Sequence, residues 1–417
     1  MNQVIRNGRL LDPARGVDQV GDLWISAGAI TAMGEPPGSF EPDSEFDASS
    51  LWVMPGLVDL CARLGASPDQ ETRAAARGGF TTVCCPPDTG PVLDSVAVLK
   101  HLLAQTADSS SARILTIGAL TSGLQGTGLA DHDTLLRNGC VGLGNGSNGI
   151  GDSHVMRSAM QTARSLGATV FIRPEDPSLA GGCAHDGPIA TRLGLQGIPA
   201  SAEAAGMARD LALIEETGVR AHFCRLSSAV GVQLLEQARS RGLPVTADVA
   251  MHQLFLTEHD ISGFDANCHT RPPLRATSDR EALIDAVRHG VIDAICSDHT
   301  PLGVDAKLAP FADTEPGISA AETVLGLGMR LVEDDRLDLS TLLAALVDNP
   351  TRVLGRTPAG LSAGAPADLV IYDPAAVWRC DPDEFISDGH NSPFSGWEFQ
   401  GQVVATFCDG RQTPATD

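Results

Sequence analysis

The residues with the most chemical capacity stand at the ends of short apolar runs. Asp59, Cys61 and Arg63 close the first run. Asp88 follows another in Pro86-Pro87-Asp88-Thr89, and Asn145 ends a third. Arg173 closes Phe171-Ile172-Arg173, and Arg225 follows His222-Phe223-Cys224. His252 follows Ala250-Met251, and Ser297-Asp298-His299 closes the last. Carboxylates, imidazoles and a thiol gathered at strand ends are the kinds of group that hold zinc, which takes neutral imidazole, thiolate or carboxylate. Arg63, Arg173 and Arg225 supply none of these. A guanidinium stays protonated and has no lone pair to give.

Each group also has a plainer role. Cys61 beside a cationic Arg63 fits a nucleophile, because nearby positive charge lowers a thiol pKa. No Cys-His-Asn arrangement accompanies it, however. His252 reads as structural, His299 as a remnant beside Asp298, and His222 as a satisfied core histidine. His101, His132, His154, His259 and His289 read as solvated. Asp298 as a working base has nothing obvious to activate without metal-bound water.

Something must bring these ends together. Eight strand-like runs occur, at residues 52–60, 80–86, 113–120, 140–145, 169–173, 220–226, 244–250 and 292–298. Helical patterns separate most of them, at residues 70–77, 92–105, 153–166, 202–216, 229–241 and 279–288. Ser278 with Glu281 three residues on reads as the cap of the last of these helices. Repeated strand–helix alternation predicts an α/β fold, a (β/α)8 TIM barrel over residues 53–359, with its chemistry at the C-terminal ends of the strands. The termini are β-rich. Asn7-Gly8 reads as a turn and residues 23–33 as a hairpin, and strands are expected at 367–373 and 401–411. Residues 1–52 and 360–417 are therefore expected to form one composite β domain.

Bulk properties narrow the partners. A 417-residue chain can bury a large core. The formal charge of −23 disfavours nucleic acid and anionic membranes. No apolar stretch of spanning length occurs. The opening Met1-Asn2-Gln3-Val4-Ile5-Arg6 lacks a signal-peptide core, so a cytoplasmic location is expected. Ten cysteines without a C-x-x-C pair fit a reducing compartment.

Several segments together carry a resemblance to the dihydroorotases of the amidohydrolase superfamily. They are Pro55-Gly56-Leu57-Val58-Asp59-Leu60, Gly78-Gly79-Phe80-Thr81-Thr82-Val83 and Ala190-Thr191-Arg192-Leu193-Gly194-Leu195. Further on come Pro272-Pro273-Leu274-Arg275, Ser297-Asp298-His299-Thr300-Pro301 and Asn391-Ser392-Pro393-Phe394-Ser395-Gly396-Trp397. The resemblance implies a metal site, and the departures fall on it. Where the family has His-x-His and then a substrate-binding Arg, this chain has Cys61, Ala62, Arg63, Leu64 and Gly65. The substrate Asn becomes Asp88, which repels a carboxylate. The acid after the fourth strand aligns with Asn145, and the histidines of strands five and six align with Arg173 and Arg225. Asp298 is kept.

Magnitude decides whether a metal could survive these changes. Two unit charges at 4 Å interact by about 4 kcal/mol at an effective dielectric of 20, and a dication roughly doubles that. Neither Lys100 nor Lys307 lies at a barrel-strand end to supply a carbamylated ligand. No metal and no other cofactor is therefore expected. The arginines are instead expected to pair with Asp59 and Asp298 and so stand in for the lost metal charge.

The resemblance implies a non-catalytic dihydroorotase-like protein that acts as an assembly subunit of aspartate transcarbamoylase in pyrimidine biosynthesis. Its expected partner is the transferase catalytic subunit, with a homodimer inside the larger complex. Two alternatives stand beside it. One is a pseudoenzyme that senses an anion or pyrimidine through Arg63, Arg173 and Arg225. The other is a metal-poor cyclic amidohydrolase using Cys61, or a single metal at Asp298 with His252 or His299.

Overall fold

The computed structural model describes residues 1–106 and 111–413. Eight parallel strands form the central sheet: β1 (Leu57–Asp59), β2 (Phe80–Cys85), β3 (Arg113–Ala119), β4 (Gly142–Gly144), β5 (Thr169–Ile172), β6 (Arg220–Phe223), β7 (Val245–Ala250) and β8 (Ala294–Cys296). They neighbour one another in chain order. A bridge between Ala62 and His299, just beyond β1 and β8, and a hydrogen bond from Arg63 N to His299 O bring the two edges together. The result is a nearly closed (β/α)8 barrel.

Alternation along the strands divides the core in two. Val58, Leu115, Ile117, Phe171 and Ala294 fill the barrel axis, with Val353 and Leu354 packed against them. Residues of opposite phase, such as Leu57, Val83, Val170, Ala221 and Val249, join the outer layer under the helices. Glycine is required at Gly142, where a Cβ would stand 2.5 Å from the Phe171 ring.

The helices obey ordinary sequence signals. Pro68–Arg77 begins with Pro and carries Asp69 and Glu71 in its first turn and Arg77 in its last. Asp152 caps Ser153–Ser165 by accepting from His154 N and Val155 N, and Met156, Ala159, Met160 and Ala163 form its buried stripe.

Both termini build a second, mixed sheet. Its order runs Arg411–Gln412, Glu398–Cys408, Leu369–Arg379, Trp52–Pro55, Asn2–Asp12, Val17–Ser26 and Ala29–Met33, with Ser44–Asp47 beside Asn2–Asp12. Three local expectations need correction. The run 52–60 is two strands: Trp52–Pro55 pairs in the terminal sheet, and only Leu57–Asp59 enters the barrel. Asn7-Gly8 is a register shift inside a continuous strand and not a turn, with Asn7 at φ 60°. Ser278 lies inside helix Thr277–Arg288, whose N-cap position is Ala276, so no Ser cap forms. No helix among the described residues is long and apolar enough to cross a membrane.

Candidate functional site

Asp59 ends β1 fully buried, and neutral donors surround it. Its Oδ1 accepts from Cys61 N at 3.1 Å and Ser297 N at 3.0 Å, and its Oδ2 accepts from the Ser297 hydroxyl. Burial pushes this carboxyl up to about 6, against those hydrogen bonds. Among the described residues no arginine hydrogen-bonds or ion-pairs with Asp59, contrary to the expected pairing. Asp59 stitches the end of β1 to the end of β8.

Asp298 stands one residue beyond that stitch and is held by charge. Arg63 Nη1 reaches its Oδ1 at 3.1 Å, Arg225 Nη1 reaches the same oxygen at 3.0 Å, and the Cys61 thiol lies 3.4 Å from it. Burial alone would raise this carboxyl, but the Arg225 and Arg63 guanidiniums hold it below its ordinary range. Asp298 and Arg225 both adopt left-handed backbone conformations, φ 50° and 57°. Such strain is stored where the surroundings over-determine it. Here the Arg225 N–H donates to Asp248 Oδ1 at 2.6 Å.

The network extends across the mouth. Arg63 Nη1 also donates to Thr300 Oγ1 at 3.1 Å, while its Nη2 donates to Asp88 Oδ2 at 2.9 Å and Ser147 Oγ at 2.8 Å. Asp88 is largely buried, yet Arg63 brings its carboxyl down to about 2. Gly146, at φ 61°, lets the loop pass, since a Cβ there would meet Asp88 at 2.7 Å. Arg173 faces a different acid: its Nη2 donates to Glu175 at 2.6 Å and its Nη1 to Ser147 O at 2.9 Å. Burial lowers this guanidinium to about 10. Glu175 also accepts from Arg271 at 3.0 Å.

The thiol between the arginines is not activated. Arg225 Nη1 lies 2.8 Å from Cys61 Sγ, but burial outweighs that cation and drives the thiol pKa upward. A nucleophilic Cys61 therefore lacks its physical basis. His252 is buried with no partner for either ring nitrogen among the described residues, and burial lowers it to about 4. His299 lies out of the network, bonded through Nε2 to Glu71 at 2.8 Å. Asn145 turns to Thr121 at 2.7 Å and to backbone oxygens. The structure thus gathers Cys61, Arg63, Asp88, Arg225 and Asp298 in one bonded cluster. Arg173 joins it through Ser147, and Asp59 lies directly beneath. Asn145 and His299 are turned to other partners.

His222 is a satisfied core histidine, bonded to Thr246 at 2.8 Å and Asp248 at 2.9 Å. His132, expected in solvent, is buried and bonds Leu120 O at 2.7 Å.

These residues do not fit a divalent metal at the mouth. The Asp298 oxygen is already shared by two permanent cations, the nearest thiol is driven toward its protonated form, and three strand ends carry guanidiniums. Deeper in the barrel, His222, Cys224 and Asp248 place one donor atom each within 4.8 Å of one another. Both His222 nitrogens and both Asp248 oxygens are already hydrogen-bonded there.

Residues 51–230 match the family model described as Dihydro-orotase-like. The chain is 47% identical over 418 residues to the dihydroorotase-like protein of Pseudomonas aeruginosa, covering 98% of each. The chain belongs to the dihydroorotase-like family. A dihydroorotase-like protein of Pseudomonas putida is 46% identical, covering 97% of each, and the dihydroorotase of Geobacter metallireducens is 37% identical, covering 99% of each. Among solved structures, the L-hydantoinase (dihydropyrimidinase) of Arthrobacter aurescens superposes with a TM-score of 0.86 at 23% identity, covering 98% of this chain and 95% of that one. That likeness concerns the fold.

In this dihydroorotase-like chain only some of the partners that complete the network carry a signal in the sequence. Glu175 and Ser147 are ordinary loop residues until the fold places them, whereas Ser297 and Thr300 belong to the Ser297–Pro301 segment that stands out in the sequence. Glu175 has a local cue, since it lies two residues after Arg173 and can reach back to the same strand end.

Proposed function

We propose that this chain is a non-catalytic dihydroorotase-like subunit that assembles with aspartate transcarbamoylase catalytic subunits in de novo pyrimidine biosynthesis. The observation that carries this reading is the double guanidinium grip on Asp298. A dihydroorotase needs its strand-end groups to present lone pairs to zinc and so generate a nucleophile from water. Here the corresponding volume is filled by ion pairs whose side chains are less than one-fifth exposed. The fold is kept while the groups that would do the chemistry are engaged with one another. A scaffold whose value lies in its outer surface has that combination of properties. The transferase as partner rests on the family likeness, as does a homodimer of barrel subunits within the complex. The sensing alternative has less support, because both terminal nitrogens of Arg63 and of Arg173 already donate to protein acceptors.

Co-expression with aspartate transcarbamoylase from the same source, followed by mass measurement of the purified complex, tests the assembly role. A stable complex is expected. Metal analysis of the purified chain and a ring-opening assay on dihydroorotate test the chemistry. Stoichiometric zinc with turnover would overturn the reading.

A further inference from the structure

Two loops beyond the strand ends form a built surface that the plugged site does not use. One comes after β7 and contains residues 258–268. The other comes after β8 and contains residues 303–315. Lys307, one of only two lysines in the chain, ties them together: its Nζ donates to Ala266 O at 3.0 Å and to Glu315 O at 2.7 Å. The His269 and Phe311 rings lie 4.9 Å apart at a 31° tilt, and His269 Nδ1 bonds Thr314 Oγ1 at 2.8 Å. On this framework three large apolar side chains face solvent: Phe264 is 50% exposed, Val304 66% and Leu308 72%. Phe264 is held out on a left-handed backbone, φ 58°. The Lys307–Ala266 bond brings the two loops side by side, with Phe264 two residues from Ala266 and Leu308 next to Lys307, and exposed apolar groups on adjoining ordered loops are what a protein interaction site presents.

The rim selects the partner. Asp265, Asp305, Asp313 and Glu315 are exposed on the same two loops, whereas the Lys307 ammonium is turned inward to carbonyls. A second copy of a chain carrying −23, or an anionic membrane, would meet like charge here. We infer that this two-loop platform docks a protein face whose apolar pocket is bordered by lysine and arginine. On the assembly reading above, that face belongs to the transferase catalytic subunit.

The experiment compares binding of the unmodified chain, the triple variant Phe264→Ser, Val304→Ser, Leu308→Ser, and the control Val377→Ser on the terminal sheet, all against purified transferase catalytic subunit. The triple variant is expected to bind at least about tenfold more weakly with an unchanged unfolding midpoint, and the control as tightly as the parent. Raising the salt is expected to weaken the parent complex. Hydrogen exchange on the unmodified complex gives a readout free of folding effects, with protection expected at residues 262–268 and 303–313. Equal binding by the triple variant, or no protection at these loops in a complex that does form, overturns the docking surface and leaves the assembly reading standing. Failure of the unmodified chain to bind the transferase at all overturns both.

Discussion

Asp59 and Asp298 occupy adjoining regions at the closing seam of the barrel, and they meet burial in opposite ways. Asp59 is surrounded by backbone N–H groups and one hydroxyl, and its carboxyl rises to about 6. Asp298 is gripped by two guanidiniums and falls below its ordinary range although burial opposes that. Neutral hydrogen bonds offset part of the desolvation of a carboxylate, while direct ion pairs reverse it. The lower region is a structural stitch that tolerates a neutral group. The upper region depends on charge. The buried Asp298 keeps its charge because guanidiniums from two other strand ends face it.

The largest expected effect comes from removing charge in the upper region alone. Asp298→Asn leaves Arg225, only 3% exposed, without its carboxylate. Breaking a buried pair in this way costs about 3–5 kcal/mol. Denaturant unfolding at neutral pH should show a loss of that size. A loss below about 1 kcal/mol would mean that the grip on Asp298 is incidental and would remove the contrast with Asp59. Arg173→Ala comes next, at about 2 kcal/mol, because Glu175 keeps Arg271 at 3.0 Å as a second partner. The same unfolding measurement checks it, and the double variant Arg173→Ala, Arg271→Ala should cost more than either change alone.

How much of this is legible in the sequence depends on the range of the interactions. The barrel is readable because eight strand–helix alternations are local patterns. The terminal sheet is readable because both ends alternate in hydrophobicity. The break at Gly56, which sends Trp52–Pro55 to one sheet and Leu57–Asp59 to the other, is marked by the Pro55-Gly56 dipeptide, but the buried apolar residues on both sides make the run read as one strand. At the site, Arg63, Arg173 and Arg225 stand out by residue type alone. Asp298 stands out with them, and its pairing with Arg63 and Arg225 follows the expectation, whereas Glu175 and Ser147 do not stand out. Pairing Asp59 with an arginine fails because the Ser297 backbone and hydroxyl, 238 positions away, reach it first. His132 has the pattern of a solvated helix residue, but it packs inward against Leu120 O. Side chains at strand ends are positioned by register across the barrel, and register is a tertiary property.

A smaller effect separates the two acids by pH. The raised carboxyl of Asp59 contributes stability that is fully present below its unfolded value, 3.8, and is lost as pH rises through about 6. Asp298 has the opposite sign: its contribution is present above the unfolded value and is lost as pH falls through its lowered folded value. Asp59→Asn keeps an oxygen for Cys61 N and Ser297 N and should lie within about 1 kcal/mol of the parent at neutral pH. Its cost relative to the parent should shrink by about 1–2 kcal/mol between pH 4 and pH 7. Urea unfolding at both pH values checks this, and a cost independent of pH would show that Asp59 ionises alike in the folded and unfolded chain.

The smallest expected effect sharpens the same comparison from a third side. His252 lies within electrostatic reach of Asp298 and Arg225 but has no hydrogen-bond partner among the described residues, and burial lowers it to about 4. Its neutral form is the one that folds, so its contribution is complete above the unfolded value of 6.5 and is lost as pH falls from there toward 4. A buried ring with two unpaired nitrogens gains nothing from its polarity, and an apolar side chain of similar size avoids that desolvation. His252→Leu should therefore be neutral or stabilising by up to about 1 kcal/mol at pH 7.5, with the advantage growing as pH falls toward 5. Thermal unfolding across that range reads the effect directly. If the substitution instead destabilises the chain by as much as Asp298→Asn, the imidazole belongs to the charged network, and the upper region is held by more than its arginines.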